Sequence, residues 1–181
     1  EDIGQARLMM QCIEESKADW LMLLKPGDTL EVDAGCALLE AACKHSDAAL
    51  LYADEDTLLS GRGEADPLFK PVIERETLRY QLEVLGDAVA LHGPTLLRLG
   101  GLNPSYDGAL IPEYIHRLMQ SESKLVQIKR VLLHKLPRPA VTPSVKLVWE
   151  RLAEDYAQYT VKSEKHVVTL RQTTTSSSLF E

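Results

Sequence analysis

The stretch WLMLLKPGDTL, residues 20–30, begins as a continuous apolar run and stops at the turn KPGD. An apolar run of this length, bounded by turn residues, is typical of a strand that is buried on both faces of a sheet. We therefore expect a buried strand over residues 20–24. The turn that follows would bring Lys25 and Asp28 to the edge of that sheet.

Helices and strands alternate along the rest of the chain. A helix is expected from the turn up to about Lys44, capped by Thr29 or Asp33, because small and apolar residues recur there at helical spacing. The other predicted strands are 48–53, 88–92 and 125–133, the other predicted helices are 3–16, 74–82, 94–100, 112–120 and 144–158, and residues 59–67, LSGRGEADP, are expected to form a hairpin or loop. This alternation predicts an α/β fold in which helices flank a mostly parallel mixed sheet.

The composition is that of a folded protein with one main domain. Of the 181 residues, 45% are hydrophobic and 26% are charged, which argues against disorder. The 20 basic and 27 acidic residues give a net charge of -7 without a basic stripe, so nucleic acid is not expected as a partner. No apolar run approaches the roughly 18 residues of a membrane span, so we expect no transmembrane segment. Cys12, Cys36 and Cys43 are expected to be reduced core residues.

The two ends of the chain suggest how it is organised. We expect the main α/β domain to cover residues 1–160. Residues 161–181 would form a C-terminal strand or linker with a flexible Ser/Thr tail. Because the first residue is not methionine, we interpret the chain as a piece of a longer protein.

Acidic residues follow two of the predicted strands. Asp28 comes after the first strand, and Asp54, Glu55 and Asp56 come after the second. Ligands of open α/β sheets gather at the carboxyl ends of strands, and one or two carboxylates suffice to hold Mg²⁺ or Mn²⁺ against a diphosphate. The alternative is structural, because Asp is common in turns simply for its turn geometry and its capping of helices.

Several short motifs carry a resemblance to a known family. In order they are DIGQAR, ADWLMLLKPGDTLEVDA, ALLYADEDTL, DPLFKP, LLRLGGL, YDGALIPEYIHRL and VLLHKL, within residues 1–150. In this order and at these spacings the chain resembles family 2 glycosyltransferases of the inverting A-type fold, in particular bacterial enzymes of surface-polysaccharide and O-antigen assembly.

The resemblance implies a fold, a set of ligands and a location. It implies the second half of a nucleotide-diphospho-sugar transferase fold, with the nucleotide-binding first half supplied from before residue 1 or by a protein partner. The implied ligands are a nucleotide-sugar donor, a glycan acceptor and, in an active member, a divalent cation, either Mg²⁺ or Mn²⁺. The implied location is the cytoplasm or the periphery of the inner membrane.

Two positions depart from the family pattern. Lys25 stands where the family has the first carboxylate of its metal-binding turn, which leaves Asp28 as the expected ligand. An ammonium group would repel the metal, although it could instead neutralise a phosphate directly. Ile111 falls at the position of the general base and cannot accept a proton. Glu113, two residues further on, matches the second acid of that motif and is the remaining candidate catalytic residue.

Other family positions are matched. Asp54, Glu55 and Asp56 in YADED and Lys70 in FKP correspond to predicted substrate-binding residues, and His134 in VLLHKL to a further metal ligand. Each also has a simpler interpretation. Lys70 fits a surface or hydrogen-bonding lysine, and His134, without its acidic partners, fits an ordinary hydrogen-bonded histidine at a strand end.

Two functions from different classes follow from these residues. The first is a glycosyltransferase-like domain, degenerate in this chain, related to enzymes that move a sugar from a nucleotide donor to a surface glycan. The second is a non-catalytic interaction or scaffolding module of a multi-domain glycosyltransferase. Lys25 and Ile111 indicate that the metal-binding and general-base positions are lost, so the sequence leaves open whether the chain is an enzyme.

Overall fold

The computed structural model of the protein describes residues 4–59, 65–80, 82–137, 159–164 and 167–172, together with five residues between 146 and 154. Its helices are α1 (Gln5–Ser16), α2 (Ala34–Lys44), α3 (Arg75–Tyr80), α4 (Gly93–Arg98) and α5 (Leu110–Met119). Its strands are β1 (Trp20–Met22), β2 (Thr29–Leu30), β3 (Ala48–Leu58), β4 (Ala65–Leu68), β5 (Val89–His92), β6 (Lys124–Lys135), β7 (Tyr159–Glu164) and β8 (Val167–Gln172). The predicted α/β class is confirmed, as are the three later strands.

The main sheet is mixed, and most of its strand pairs are antiparallel. Its order is β1-β5-β3-β6-β2, and β4 pairs with β3 beside this path. Only β3 and β6 run parallel among the described strands, whereas β1–β5, β5–β3, β3–β4 and β6–β2 are antiparallel. The expectation of a mostly parallel sheet is therefore wrong. Alternating elements indicate the order of strands along the chain, but not which strands become neighbours or in which direction each one returns.

The first strand lies at the edge of the sheet. β1 covers three residues, pairs only with β5 in the described part of the chain, and leaves all three side chains partly exposed. The expectation of a strand buried on both faces at residues 20–24 is wrong for this reason. The strand that is buried on both faces is β3, whose first nine residues are all buried between its neighbours.

Two hydrophobic clusters hold the sheet to its helices. The larger cluster contains residues of α1, α3, α4 and α5 packed against one side of β3 and β5, with Leu50, Leu91, Leu96, Tyr114 and Leu118 nearly inaccessible to solvent. The smaller cluster joins α2 to Leu51, Ala53, Ala90, Leu132 and Leu133 of the strands. Burying apolar side chains on both faces of β3 stabilises the fold, by about 1.5–3 kcal/mol for each large side chain.

Helix boundaries follow the expected capping chemistry in some places only. Gly100 and Gly101 end α4 with φ of +92° and +76°, as predicted for a C-terminal cap. Asp33 precedes α2 at the N-cap position, but its carboxylate binds Arg130 and does not cap the helix. Thr29, the other predicted cap, belongs to β2.

Three further predictions have different outcomes. All three cysteines are free, as expected, but all are exposed, so their assignment to the core is wrong. Most of the predicted helix 144–158 lies outside the described residues, although Lys146 and Glu150 are helical. Strands β7 and β8 form an antiparallel hairpin within residues 159–172.

In the described part of the chain, no helix is both long enough and apolar enough to cross a membrane.

Candidate functional site

The acidic segment Asp54–Glu55–Asp56 lies inside β3. The sequence predicted a strand that ends at residue 53 and a turn that carries the acids, but β3 continues to Leu58 because β4 and β6 pair with its second half on either side. The side chains of adjacent strand residues point to opposite faces. Glu55 and Asp56 therefore have different surroundings, and the predicted binding residues divide into two groups.

Glu55 is the centre of a buried ion cluster. Its carboxylate is 1% exposed and accepts a hydrogen bond from the Lys70 ammonium at 2.9 Å, and that ammonium is equally buried. Lys135 donates to the other carboxylate oxygen at 2.5 Å. The backbone N–H groups of Asp87 and Ala88 donate to Oε2 at 2.9 and 2.7 Å. Burial would raise the pKa of Glu55, but the ammonium groups of Lys70 and Lys135 outweigh it and hold the pKa below its usual value.

The cluster extends to the surface through Asp87 and ends at Lys25. Asp87 accepts from Lys135 at 3.2 Å and from Lys25 at 2.8 Å. Burial would raise the pKa of Asp87, but the hydrogen bond from Lys25 and the nearby charges lower it. We call Lys25, Glu55, Lys70, Asp87 and Lys135 the charge network. Lys25 is thus the outer member of a chain of alternating charges.

Sequence reasoning missed two members of the charge network, Asp87 and Lys135. Both stand next to residues that were considered: Lys135 follows His134 in VLLHKL, and Asp87 follows Gly86 directly before a predicted strand. The signal available in the sequence was the glycine at position 86, directly before Asp87. Its φ of +61° lies in the region that favours glycine. A Cβ at this position would lie 2.6 Å from a Glu55 carboxylate oxygen, so glycine leaves the room that the buried carboxylate needs.

Asp54 and Lys70 fix the segment that follows β4. The carboxylate of Asp54 accepts from the Lys70 backbone N–H at 2.7 Å, and the Gln127 amide donates to the Lys70 carbonyl at 2.6 Å. Lys70 is therefore held by its main chain and its side chain together. The structure brings the predicted binding residues Asp54, Glu55 and Lys70 into contact. Asp54 accepts from the Lys70 backbone, and the Lys70 ammonium pairs with Glu55, so these groups bind one another.

Asp28 closes the KPGD turn. Its carboxylate lies 3.4 Å from the Lys25 backbone nitrogen and 3.3 Å from that of Leu136, and its own N–H donates to the Lys25 carbonyl at 3.0 Å. These contacts tie the turn to the end of β6. They favour a structural role for Asp28, as in other aspartates that accept from nearby backbone N–H groups in turns.

His134 bridges two carboxylates on the opposite side of β3 from Glu55. Its Nδ1 lies 2.8 Å from Asp56 and its Nε2 lies 3.2 Å from Glu31. The hydrogen bond to Asp56, with that to Glu31, raises the pKa of His134 against the opposing effect of burial. Each ring nitrogen of His134 thus already has a carboxylate partner, and the raised pKa favours the protonated ring. A metal ligand needs a ring nitrogen that carries no proton and has no other partner.

The two predicted metal ligands, Asp28 and His134, are each held by hydrogen bonds within the protein. Among the described residues, no group of three or more His, Cys, Asp or Glu side chains could hold a metal ion. We therefore derive no chemical step through Mg²⁺ or Mn²⁺ for this chain.

Glu113 lies in α5 and makes a bidentate ion pair with Arg117. The two contacts are 2.6 and 2.7 Å, and the carboxylate is 1% exposed. Arg117 also donates to the carbonyl groups of Leu99 and Gly101 at the end of α4. The pair therefore locks α5 to the turn after α4, which favours a structural role for Glu113 over the predicted catalytic one. Ile111, at the expected base position, is partly buried and packs against the larger cluster.

Known proteins that are similar to the chain include one named for O-antigen biosynthesis. The chain is 28% identical over 139 residues, or 77% of its length, to the O-antigen biosynthesis protein RfbC of Myxococcus xanthus. It is also 27% identical over 97 residues, or 54% of its length, to the uncharacterized protein y4gI of Sinorhizobium fredii. Each match spans 11% of the other protein. No protein-family model matches the chain.

Proposed function

We propose that the chain is a glycosyltransferase-like region of a protein of surface-polysaccharide assembly, in which the donor-binding and metal-binding positions have become structural. By this proposal it transfers no sugar itself and serves as a non-catalytic module of a larger protein. The observation that carries the proposal is the charge network. Lys25 stands at the position of the metal-binding acid and pairs with Asp87, while Glu55 and Lys70 neutralise each other in the interior.

The other candidate positions support the same conclusion. The general-base position holds Ile111, which has no titratable group, and the nearby acid Glu113 is held in a buried ion pair. Buried ion pairs with good geometry are costly to open, because each charge that loses its partner remains away from water. A donor diphosphate or a divalent cation would have to compete with contacts of this kind.

The RfbC match supports the glycan-assembly part of the proposal. The proposal extends that protein's named role in O-antigen biosynthesis to the present chain. The divalent cation, the nucleotide-sugar donor, the glycan acceptor and a site at the inner membrane would then belong to other parts of the whole protein.

The test is a calorimetric titration of the folded chain with UDP and with a panel of UDP- and dTDP-sugars, each with and without Mn²⁺. We expect no heat of binding with any of them. Micromolar binding that requires Mn²⁺ and disappears in Asp28→Ala would overturn the proposal and restore the transferase hypothesis.

The exposure of Lys25 favours a second possible function, which is nucleotide binding without a metal. The Lys25 side chain is half exposed, so its ammonium could meet a phosphate from solvent. Binding of UDP that does not require Mn²⁺ and is lost in Lys25→Met would identify a metal-independent nucleotide site, and would also overturn the non-catalytic proposal. Lys44→Met is the matched control, because Lys44 is an exposed lysine on α2, outside the charge network.

A further inference from the structure

The thioether of Met10 joins α1 to the turn that follows α4. Its sulfur accepts a hydrogen bond from the backbone N–H of Leu102 at 3.2 Å. Its terminal methyl group and its sulfur also lie against Gly101, where an added Cβ would come within 2.7 and 3.0 Å of them. The glycine therefore leaves the space that the Met10 side chain occupies.

The turn at Gly101 is held in place by its own backbone contacts. Gly101 has a φ of +76°, its N–H donates to the Leu96 carbonyl at 2.9 Å, and its carbonyl accepts from the Arg117 guanidinium at 2.6 Å. Arg117 is itself paired with the buried carboxylate of Glu113. Because both main-chain groups of Gly101 are bound, a larger side chain at Met10 would have to displace α1 and not the turn.

Helix α1 depends on its contacts with the rest of the domain. It has twelve residues, and in the described part of the chain it buries Ala6 and Ile13. The Ala6 N–H donates to the carboxylate of Asp107 at 2.9 Å. Isolated helices of this length are only marginally stable in water. Loss of the contact at Met10 should therefore loosen the whole helix.

We propose that Met10 is an oxidation site, and that its conversion to the sulfoxide by hydrogen peroxide releases α1 from the turn at Gly101. Met10 is partly exposed, so the reagent has access to it. A sulfur lone pair attacks one peroxide oxygen, the S–O bond forms as the O–O bond breaks, and the second oxygen takes up the proton of the first and leaves as water. The sulfur loses the two electrons that the peroxide gains.

The sulfoxide does not fit the contact that the thioether makes. An oxygen added on the side of the Leu102 N–H would lie within the 3.2 Å between sulfur and nitrogen, closer to the nitrogen than a hydrogen bond allows. An oxygen added elsewhere on the sulfur makes a bulkier, polar side chain of one that packs against the larger hydrophobic cluster. Since the turn is fixed, either product should displace α1.

The test is hydrogen exchange of the full chain before and after treatment with hydrogen peroxide, with the oxidised methionines identified by tandem mass spectrometry. We expect the amides of α1 to exchange at least about tenfold faster once Met10 is oxidised, while those of α2 keep their rates. Unchanged exchange in α1 with Met10 fully oxidised overturns the proposal. So does a Met10 that stays reduced while Met22, which is also partly exposed, is oxidised.

Substitutions separate Met10 from the other methionines. Met10→Leu keeps a similar volume without a sulfur, so peroxide should not change the exchange of its α1. Met9→Leu and Met22→Leu are the matched controls, and they should respond to peroxide as the parent chain does because each retains Met10. A response in Met10→Leu, or a lost response in Met9→Leu, would assign the effect to another methionine and overturn the proposal.

Reversal of the oxidation gives a readout that needs no substitution. Methionine sulfoxide reductases for both sulfoxide epimers should return Met10 to the thioether and restore slow exchange in α1. Met10→Gln, which places a polar side chain at the same position, should show fast exchange of α1 without peroxide. If α1 still exchanges fast after Met10 is reduced, or if Met10→Gln keeps slow exchange, oxidation of Met10 does not control the helix.

Discussion

The charge network should divide into a part that stabilises the fold and a part that does not. Glu55 and Lys70 are both 1% exposed, and Glu55→Gln would remove the negative charge that contacts the Lys70 ammonium at 2.9 Å. Removing one partner of a buried ion pair costs about 3–5 kcal/mol, because the remaining charge stays away from water. We therefore expect Glu55→Gln to lower the free energy of unfolding by about 3–5 kcal/mol.

Lys25→Met provides the internal comparison. Lys25 belongs to the same network, but its side chain is 50% exposed and that of Asp87 is 30% exposed, so the pair is partly solvated. Pairs of this kind are typically worth about 0–1 kcal/mol. The assay is equilibrium unfolding in urea followed by far-ultraviolet circular dichroism at neutral pH, which gives both values on one scale.

The test compares the loss of unfolding free energy in Glu55→Gln with that in Lys25→Met. If Glu55→Gln costs less than about 1 kcal/mol, the buried cluster does not hold the fold together and the structural interpretation of the network is refuted. If Lys25→Met costs as much as Glu55→Gln, the network is cooperative over its whole length, and the division by exposure is wrong.

Three other perturbations have expected outcomes. The hydrogen bond to Asp56 raises the pKa of His134 above its usual value of 6.5. Protonated His134 therefore contributes fully to the free energy of unfolding below pH 6.5, and this contribution is lost as the pH rises through the folded-state pKa. Urea unfolding should therefore show stability that falls with rising pH, and His134→Gln should flatten that fall. Gly86→Ala, which forces a left-handed φ on alanine and crowds Glu55, should destabilise by more than the roughly 1–2 kcal/mol of the backbone strain alone, measured as the unfolding midpoint. Arg117→Lys keeps the charge but breaks the bidentate pair with Glu113, and should cost about 2–3 kcal/mol by the same unfolding assay.

Each of these predictions has a result that would contradict it, and Gly86→Ala also has a control variant. Gly100→Ala shares the positive φ of Gly86, but its added Cβ would meet nothing closer than 3.9 Å, so its cost should be smaller. Equal costs at the two glycines would exclude the crowding of Glu55. A pH profile that is the same in His134→Gln and the parent chain would exclude His134 as its source. If Arg117→Lys is as stable as the parent chain, Glu113 is not held by the geometry of the pair.

The sequence predicted most helices and strands because their signals are local. β5 is a mostly apolar segment next to turn residues, and α4 begins near Pro94 and ends at two glycines, as the pattern predicted. The pairing of the strands could not be predicted in this way. Whether β5 lies parallel or antiparallel to β3 depends on the path of residues between them, and no local pattern encodes that path.

The candidate site was located only in part, for a similar reason. The motifs identified Glu55 and Lys70, which do meet, but Lys70 lies fifteen residues further along the chain, and only the turn back through β4 brings it to Glu55. Asp87 and Lys135 lie still further away in sequence. Asp87 lies outside the quoted motifs, and nothing in VLLHKL indicates that the Lys135 ammonium contacts Glu55. Residue type shows that a charge is present, whereas its partner is determined by the folded chain.

The effect of Mn²⁺ with UDP on the amide resonances of the isotope-labelled chain would show directly whether residues 25–28 and their neighbours bind a metal and a nucleotide. A bound paramagnetic ion would selectively broaden the signals nearest to it. We expect residues 25–28, residues 54–56 and His134 to keep their signals, because side chains in each group are held by contacts within the protein. Selective loss of the signals of residues 25–28 on addition of Mn²⁺ and UDP would contradict the claim that this site has become structural.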